Sequence, residues 1–360
     1  MRLLGRGSFG KVYLAWRENE KGEKEYYAIK ASRIEFIIST NDFETTRIER
    51  KVLQVASQNQ APFLLKVFCT FRTAAHLGKI SIFILHKHYQ HSSNMFSVYV
   101  MDFLPGGDLM FHLHESNEFD LPRSRFYAAE IVCALKFLHD RNIVYRDLKL
   151  DNVLLDREGH ICLADFGMCK DDVSEKNRAS TFCGTLDYIA PEIIDRKEYT
   201  FSVDWWSFGV LLYEMVTGLT PFYGDTEPEL FAEIQDPNLP DYKSVPDPAC
   251  SMMLQCLFER DPKKRLGTPT SPHGNIRDHS FFAPIDWKLL EKRQITPPFV
   301  PTLNSPIDLR YFERDFTRAS VHGLSESDRN TEKLLKTVPK DMFEKFDFQN
   351  DDYFKETKGY

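Results

Sequence analysis

Tyr145-Arg146-Asp147-Leu148-Lys149-Leu150-Asp151-Asn152, with Asp165-Phe166-Gly167 a short way downstream, is the stretch on which the fold of this chain turns. It sets an acid, a lysine, a carboxamide and a second acid at the spacing that holds a metal-bound nucleotide triphosphate beside a hydroxyl. One acid alone would say little, because structural carboxylates are common. The ordered set implies phosphoryl transfer. Asp147 would accept the proton of the attacking hydroxyl and align it, and Lys149 would steady the transferring group. Asn152 and Asp165 supply hard oxygen ligands for Mg2+.

Upstream, Gly5-x-Gly7-x-x-Gly10-x-Val12 falls at a strand-turn-strand junction, where missing Cβ atoms let backbone amides come close to phosphate oxygens. A dinucleotide fold would need such a motif to open a helix. Here Lys11 to Ala15 continues as a strand, which favours a loop that covers ATP with Leu4, Gly5, Gly7, Ser8, Phe9, Gly10 and Val12. Tyr27-Ala28-Ile29-Lys30 ends an alternating strand on a lysine that can neutralise the α- and β-phosphates. Glu49, on a helix expected over Asp42 to Ala56, can pair with Lys30 and fix its direction; Glu44 is the weaker candidate.

Around these motifs the pattern changes character once. Strands are expected at Lys11 to Trp16, Tyr26 to Ala31, Phe63 to Phe71 and Val98 to Phe103, and helices at Arg123 to Arg141, Val203 to Thr217 and Ala249 to Phe258. A small sheet lobe thus precedes a larger helical lobe, with Met101 to Gly107 as the expected hinge. The formal net charge of -7 and pI near 5.9 argue against general nucleic-acid binding and leave room for an acidic groove that selects basic substrates. Seven cysteines without a Cys-x-x-Cys pair suggest neither a disulfide framework nor a zinc site, and a reducing compartment fits. No signal peptide or membrane span is visible.

With Ala190-Pro191-Glu192 and Asp204-Trp205-Trp206-Ser207-Phe208-Gly209, these residues make the chain resemble a eukaryotic protein kinase over nearly its whole length. Tyr145 in place of the usual histidine, Arg178 to Thr185, and Met168-Cys169-Lys170 make it similar to the protein kinase C family, in particular its novel, delta-type members. The resemblance implies an α+β, bilobal fold: a catalytic domain over 1–282, with the small lobe at 1–103 and the large lobe at 104–282, and a regulatory tail over 283–360. It implies MgATP-dependent transfer to Ser or Thr in basic peptides. By the same resemblance Met101 is the gatekeeper beside the adenine, and Asp108 meets the ribose or a substrate arginine. Asp108, Asp151 and Glu214 would form an acidic subsite, and Thr185 would define Ser/Thr specificity. Glu192 with Arg265 resembles a structural ion pair.

Thr181 matches the activation-loop phosphorylation site, which an upstream kinase would modify, and Ser325 matches a tail site, with Ser327 as runner-up. Phe343 to Phe348 matches a hydrophobic motif, with Asp347 where relatives carry a phosphorylatable serine. Phe346 and Phe348 are expected to dock beside the Glu49 helix. Leu186 stands where the family normally has proline.

Gly78 to Ser97 interrupts the family pattern, since removing it joins His76-Leu77 to Val98 without a gap. A His-rich metal site, a lengthened hairpin loop and an intron read in frame compete for it, and the intron is favoured. A pseudokinase or tethering module is the rival function. The expected partners are basic protein substrates and the upstream kinase at Thr181, with no nucleic acid. The chain is expected to be a cytoplasmic monomer, with membrane recruitment left to regulatory domains that its residues do not include.

Overall fold

The computed structural model describes residues 2–7, 10–19, 21–40, 42–73, 96–238, 240–318 and 347–350, and these form two compact units. The first comprises Met1–Gln60, Leu65–Pro105 and the described residues after Leu303; the second comprises Ala61–Leu64 and Gly106–Thr302.

The first unit is built on antiparallel strands β1 (Arg2–Gly7), β2 (Gly10–Glu18), β3 (Lys24–Arg33), β4 (Val67–Thr73) and β5 (Phe96–Asp102), in the spatial order β1-β2-β3-β5-β4. Alternation along the strands sends side chains to opposite faces. Tyr13, Ala15, Tyr27, Ile29 and Ala31 build one buried cluster with Phe96, Val98 and Val100. Leu14 and Ala28, of opposite parity, join Leu4 and Phe103, and Ile307, Leu309 and Phe312 pack against them. The β2–β3 turn closes because the Asn19 side-chain oxygen accepts the amides of Lys21 and Glu23, while Gly22 takes φ +76°.

Helix α1 (Ile34–Thr40) leads into α2 (Phe43–Gln58), whose Ile48, Val52, Leu53 and Ala56 recur at the spacing of one buried face. Glu49 is buried on that same face.

Two expectations are revised, and one strand is added to them. The strand expected over Phe63 to Phe71 starts only at Val67, because Phe63 turns with φ +60° and Leu64 bridges to Leu163 in the second unit's own structure. The segment expected as inserted reaches into the sheet. Its last residues, Phe96 and Ser97, open β5, pair with Arg33 and Ser32 on β3, and are buried. The rest of it, Gly78 to Met95, lies outside the described residues. The chain end supplies a further strand, Phe348–Gln349, which pairs antiparallel with β4 through Thr70 and Cys69. Phe348 thus meets the sheet by strand pairing, and Phe343 to Phe346 lie outside the described residues.

In the second unit, helix α3 (Leu109–Ser116) is capped by Asp108, whose carboxylate accepts the Phe111 amide at 2.8 Å. Helix α4 (Leu121–His139) is capped the same way by Asp120, with Pro122 in its first turn. A short hairpin, β6 (Val153–Leu155) and β7 (Ile161–Leu163), precedes Asp165. Then follow α5 (Pro191–Ile194), α6 (Ser202–Thr217), α7 (Glu227–Gln235) and α8 (Pro248–Leu257). Helix α6 is buried along almost its whole length and stops at Gly218, which takes the left-handed conformation (φ +72°). None of the seven cysteines, all of them among the described residues, is in a disulfide. No described helix is long and apolar enough to cross a membrane.

The segment Pro297–Pro301 packs on this second unit. The Arg123 guanidinium lies 3.9 Å from the ring centres of both Phe119 and Phe299, and His112 meets the Phe299 ring edge to face. A Cβ at Gly159 would come within 2.1 Å of the Phe299 carbonyl oxygen, and Gly159 has φ +92°. Gly159→Ala is therefore expected to destabilise the protein by on the order of 1–3 kcal/mol for the backbone alone. Thermal unfolding followed by circular dichroism checks it; an unchanged melting temperature would show that this contact is dispensable.

Candidate active site

The loop from Tyr145 to Asn152 is held from below by one carboxylate. Asp204, fully buried on α6, accepts the backbone amides of Tyr145 (2.9 Å) and Arg146 (2.7 Å), and His139 Nε2 lies 2.7 Å from it. Arg146 takes φ +70°, a conformation costly for a side-chain-bearing residue that these bonds maintain. The Tyr145 hydroxyl donates to the Ala164 carbonyl, tying the loop to the residue before Asp165.

Above this base, four predicted residues meet. Thr185 Oγ1 donates to Asp147 Oδ1 at 2.9 Å, and Lys149 Nζ donates to Thr185 Oγ1 at 3.0 Å. Lys149 Nζ also stands 3.5 Å from Asp147 Oδ2. Asn152 Nδ2 donates to the Asp147 carbonyl at 2.8 Å and to Asp147 Oδ2 at 2.9 Å. With both amide hydrogens so used, Asn152 Oδ1 has no protein donor among the described residues. Asp165 is exposed, with φ +49°, and its Oδ1 accepts the Gly167 amide at 3.2 Å. The Ala164 amide donates to the Asn152 carbonyl at 2.9 Å, which fixes the backbone spacing between these two oxygen donors. A carboxamide oxygen and an exposed carboxylate fit a hard cation such as Mg2+. Among the described residues, no group of three or more His, Cys, Asp or Glu is placed to hold a metal ion.

Of the acidic residues, Glu214 is buried and Asp151 exposed. Burial raises the Glu214 carboxyl, the hydrogen bond from the Tyr188 hydroxyl opposes that, and the charges of Asp151 and Asp187 push it further up. Asp108 spends one oxygen on its helix cap. Leu186 opens the single helical turn Leu186–Tyr188, a first position for which proline is suited and which leucine also occupies.

Thr181 is exposed and its carbonyl accepts the Tyr199 hydroxyl at 2.7 Å. Arg146 in turn donates to Tyr199 Oη at 3.2 Å, to the Met168 carbonyl at 2.6 Å and to that of Cys169 at 3.3 Å. Sequence reasoning missed Tyr199, Tyr188 and His139, and quoted Asp204 without a role. For Asp204 a signal was present, an acid inside a strongly apolar helix.

In the first unit Lys30, on β3 opposite Val12, places Nζ 2.5 Å from Glu49 Oε1, with both side chains largely shielded. Glu44 instead pairs with Arg47 on the helix surface. A Cβ at Gly10 would come within 2.5 Å of the Ala31 carbonyl oxygen, so that glycine is required by packing. One at Gly5 would meet nothing within 4 Å. Gly7 faces Gly10 across the β1–β2 pair, Leu4 and Met101 are buried, and Ser8, Phe9 and Ser325 lie outside the described residues.

Residues 1–282 match the family described as the protein kinase domain. The chain is 48% identical over 97% of its length to human protein kinase C delta type, covering 47% of that protein. It is 47% identical to a putative protein kinase C delta type homolog of Drosophila melanogaster, across 97% of this chain and 48% of the relative. With protein kinase C-like 1 of Caenorhabditis elegans it shares 45% identity, across 99% of this chain and 46% of the relative. It thus spans about half the length of the curated relatives it matches. The paired Lys30 and Glu49, the Asp204-anchored loop and this match together place the chain in the protein kinase family, with protein kinase C of the delta type among its relatives.

Proposed function

We propose that this chain transfers the γ-phosphoryl group of MgATP to Ser or Thr hydroxyls in basic peptide segments. The observation that carries the reading is the Asp147 carboxylate, oriented by Thr185 and Asn152 beside the Lys149 ammonium. Asp147 aligns the attacking hydroxyl and takes its proton, and Lys149 offsets charge on the moving phosphoryl group. Asn152 Oδ1 and Asp165 would hold Mg2+, which would offset the charge of the phosphates. In the first unit Lys30, directed by Glu49, serves the α- and β-phosphates. The glycine turn serves them through its amides, with Leu4, Val12 and Met101 against the adenine. Gly5, which no contact among the described residues requires, supports that role.

Glu214, Asp151 and Asp108 attract arginine or lysine near the phosphoacceptor, Thr185 contacts the acceptor residue, and an upstream kinase modifies Thr181. The test is transfer of labelled phosphate from MgATP to a serine peptide flanked by arginines, with and without a chelator. Chelator-sensitive transfer is expected; background-level signal in both arms would overturn the assignment.

Asp347 supports a further element of this reading. It lies 3.9 Å from Arg72 and is 67% exposed, and its charge also acts on Arg50 of α2, whose guanidinium pKa burial lowers and Asp347 raises. Asp347 supplies a standing negative charge at the position where delta-type members carry a phosphorylatable serine, and a carboxylate is a partial mimic of phosphate. An exposed pair of this kind is worth about 0–1 kcal/mol. Asp347→Ala is expected to lower the melting temperature by at most about 4 °C and to reduce activity at low salt, with 0.5 M salt erasing the difference. Identical melting and activity at low salt would make the charge incidental.

A further inference from the structure

Helix α4 carries one residue out of keeping with its surroundings. Tyr127, Ala128, Ala129, Ile131, Val132, Ala134 and Leu135 are buried, as an apolar core helix requires, and Glu130 among them is 0% exposed. Burying a carboxylate is costly unless it is paired and hydrogen-bonded. Both Glu130 oxygens are spent on one short element. Oε1 lies 2.5 Å from His160 Nδ1, and Oε2 accepts the Ile161 amide at 2.8 Å. Burial holds the Glu130 carboxyl above the usual carboxylate range, against the opposing pull of His160.

Those two partners are the last residue of the β6–β7 turn and the first residue of β7. Each strand of the hairpin has three residues, and so short a pair is weak alone. Asn152 immediately precedes β6, and Asp165 follows β7 after one intervening residue. The hairpin has other supports as well: the Leu155 amide donates to the Gly107 carbonyl at 2.8 Å, the Gly106 amide donates to the Leu155 carbonyl at 3.1 Å, and Arg293 pairs with Asp156 and Glu158. Asp156 Oδ1 accepts the amides of Glu158 and His160, and the Leu163 amide donates to the Phe63 carbonyl. The His160 ring is packed by Phe126 and Phe63.

We propose that Glu130 is a positioning residue for the Mg2+–nucleotide ligands Asn152 and Asp165, acting through its double hold on the β6–β7 hairpin; this rests on the reading given under Proposed function. A leucine would satisfy the core around Glu130 but would leave the buried Ile161 amide without an acceptor and the turn without its anchor. The displacement would pass along β7 to Asp165, where ångström-scale misplacement is felt strongly in catalysis. Residues that orient ligand-bearing groups typically alter metal affinity by about 10–100-fold when removed.

The experiment compares wild-type protein with Glu130→Leu and Glu130→Gln. Amide hydrogen exchange over residues 161–165 is measured without nucleotide, and the half-saturating Mg2+ concentration and the KM values for MgATP and peptide are measured in transfer assays. Glu130→Leu is expected to lose exchange protection at 161–165 and to raise the Mg2+ half-saturation and KM for MgATP by about tenfold. The peptide KM should stay within about twofold, the pattern of a selective loss in nucleotide binding. Glu130→Gln keeps an acceptor for the Ile161 amide and should lie between the two. A Glu130→Leu protein with a lower melting temperature but unchanged Mg2+ dependence and unchanged 161–165 protection would overturn the proposal and leave Glu130 a packing residue. If Glu130→Leu does not fold, His160→Phe, which keeps the ring volume, is put through the same measurements with the same two outcomes. Absence of Mg2+-dependent transfer in the wild type would instead overturn the proposed function, and the exchange comparison separates that failure from this one.

Discussion

Asp147→Asn should reduce kcat for peptide phosphorylation by about 10²–10⁴-fold, or about 3–5.5 kcal/mol of barrier, while the protein stays folded. The substitution keeps the shape of the side chain. Thr185 and Asn152, which now reach Oδ1 and Oδ2, can still be matched by a carboxamide, because the Thr185 hydroxyl can either donate or accept. What disappears is the negative charge that, in the proposed function, takes the hydroxyl proton, and that faces the Lys149 ammonium at 3.5 Å. The melting temperature should change by no more than about 4 °C, and KM for MgATP should stay within about twofold, because a transition-state interaction is lost and ground-state binding is not. Equal turnover by the variant and the wild type would remove Asp147 from the chemistry.

Arg265→Met should be the most damaging single change for stability. Arg265 is fully buried, and its guanidinium donates to Glu192 Oε1 at 2.7 Å and Oε2 at 2.9 Å, to the Ser202 carbonyl at 2.9 Å and to that of Glu259 at 2.9 Å. The Ser202 hydroxyl also donates to Glu192. Removing the arginine leaves Glu192 charged or newly protonated in a site closed to water, along with stranded carbonyls. Breaking such a pair costs about 3–5 kcal/mol. At roughly 2–4 °C per kcal/mol for a unit of this size, melting should fall by about 6–20 °C. The paired change Glu192→Leu with Arg265→Met should recover a good part of the loss, since the penalty lies in the unpaired charge. A single variant that melts with the wild type would show that the pair is not needed.

The candidate site of the second unit was legible because its residues lie close together in the sequence. Asp147, Lys149 and Asn152 share one loop, and Asp165 lies a short way downstream. Pairing of Lys30 with Glu49 was legible for a similar reason: an alternating strand ending in lysine and a helix with one buried glutamate leave few other partners. What escaped were the long-range supports. Asp204 reaches the amides of Tyr145 and Arg146 from a distant helix, and no local period announces which backbone a buried acid will serve. Phe63 to Phe71 reads as one apolar strand, yet its first residues belong to another unit, where Leu64 bridges Leu163. There tertiary packing overrides β propensity. The strand at Phe348 was hidden because two residues carry too little pattern to stand out.

That two-residue strand has a consequence for any shortened form of the protein. It lies along β4, the long strand at one edge of the sheet, and takes up hydrogen-bonding groups beside Cys69 and Thr70 that would otherwise face outward. An uncovered strand margin is a template for pairing with a second molecule. A chain cut before Asp347 therefore presents a sticky seam, and its behaviour in solution is a matter of colloidal association as well as of catalysis.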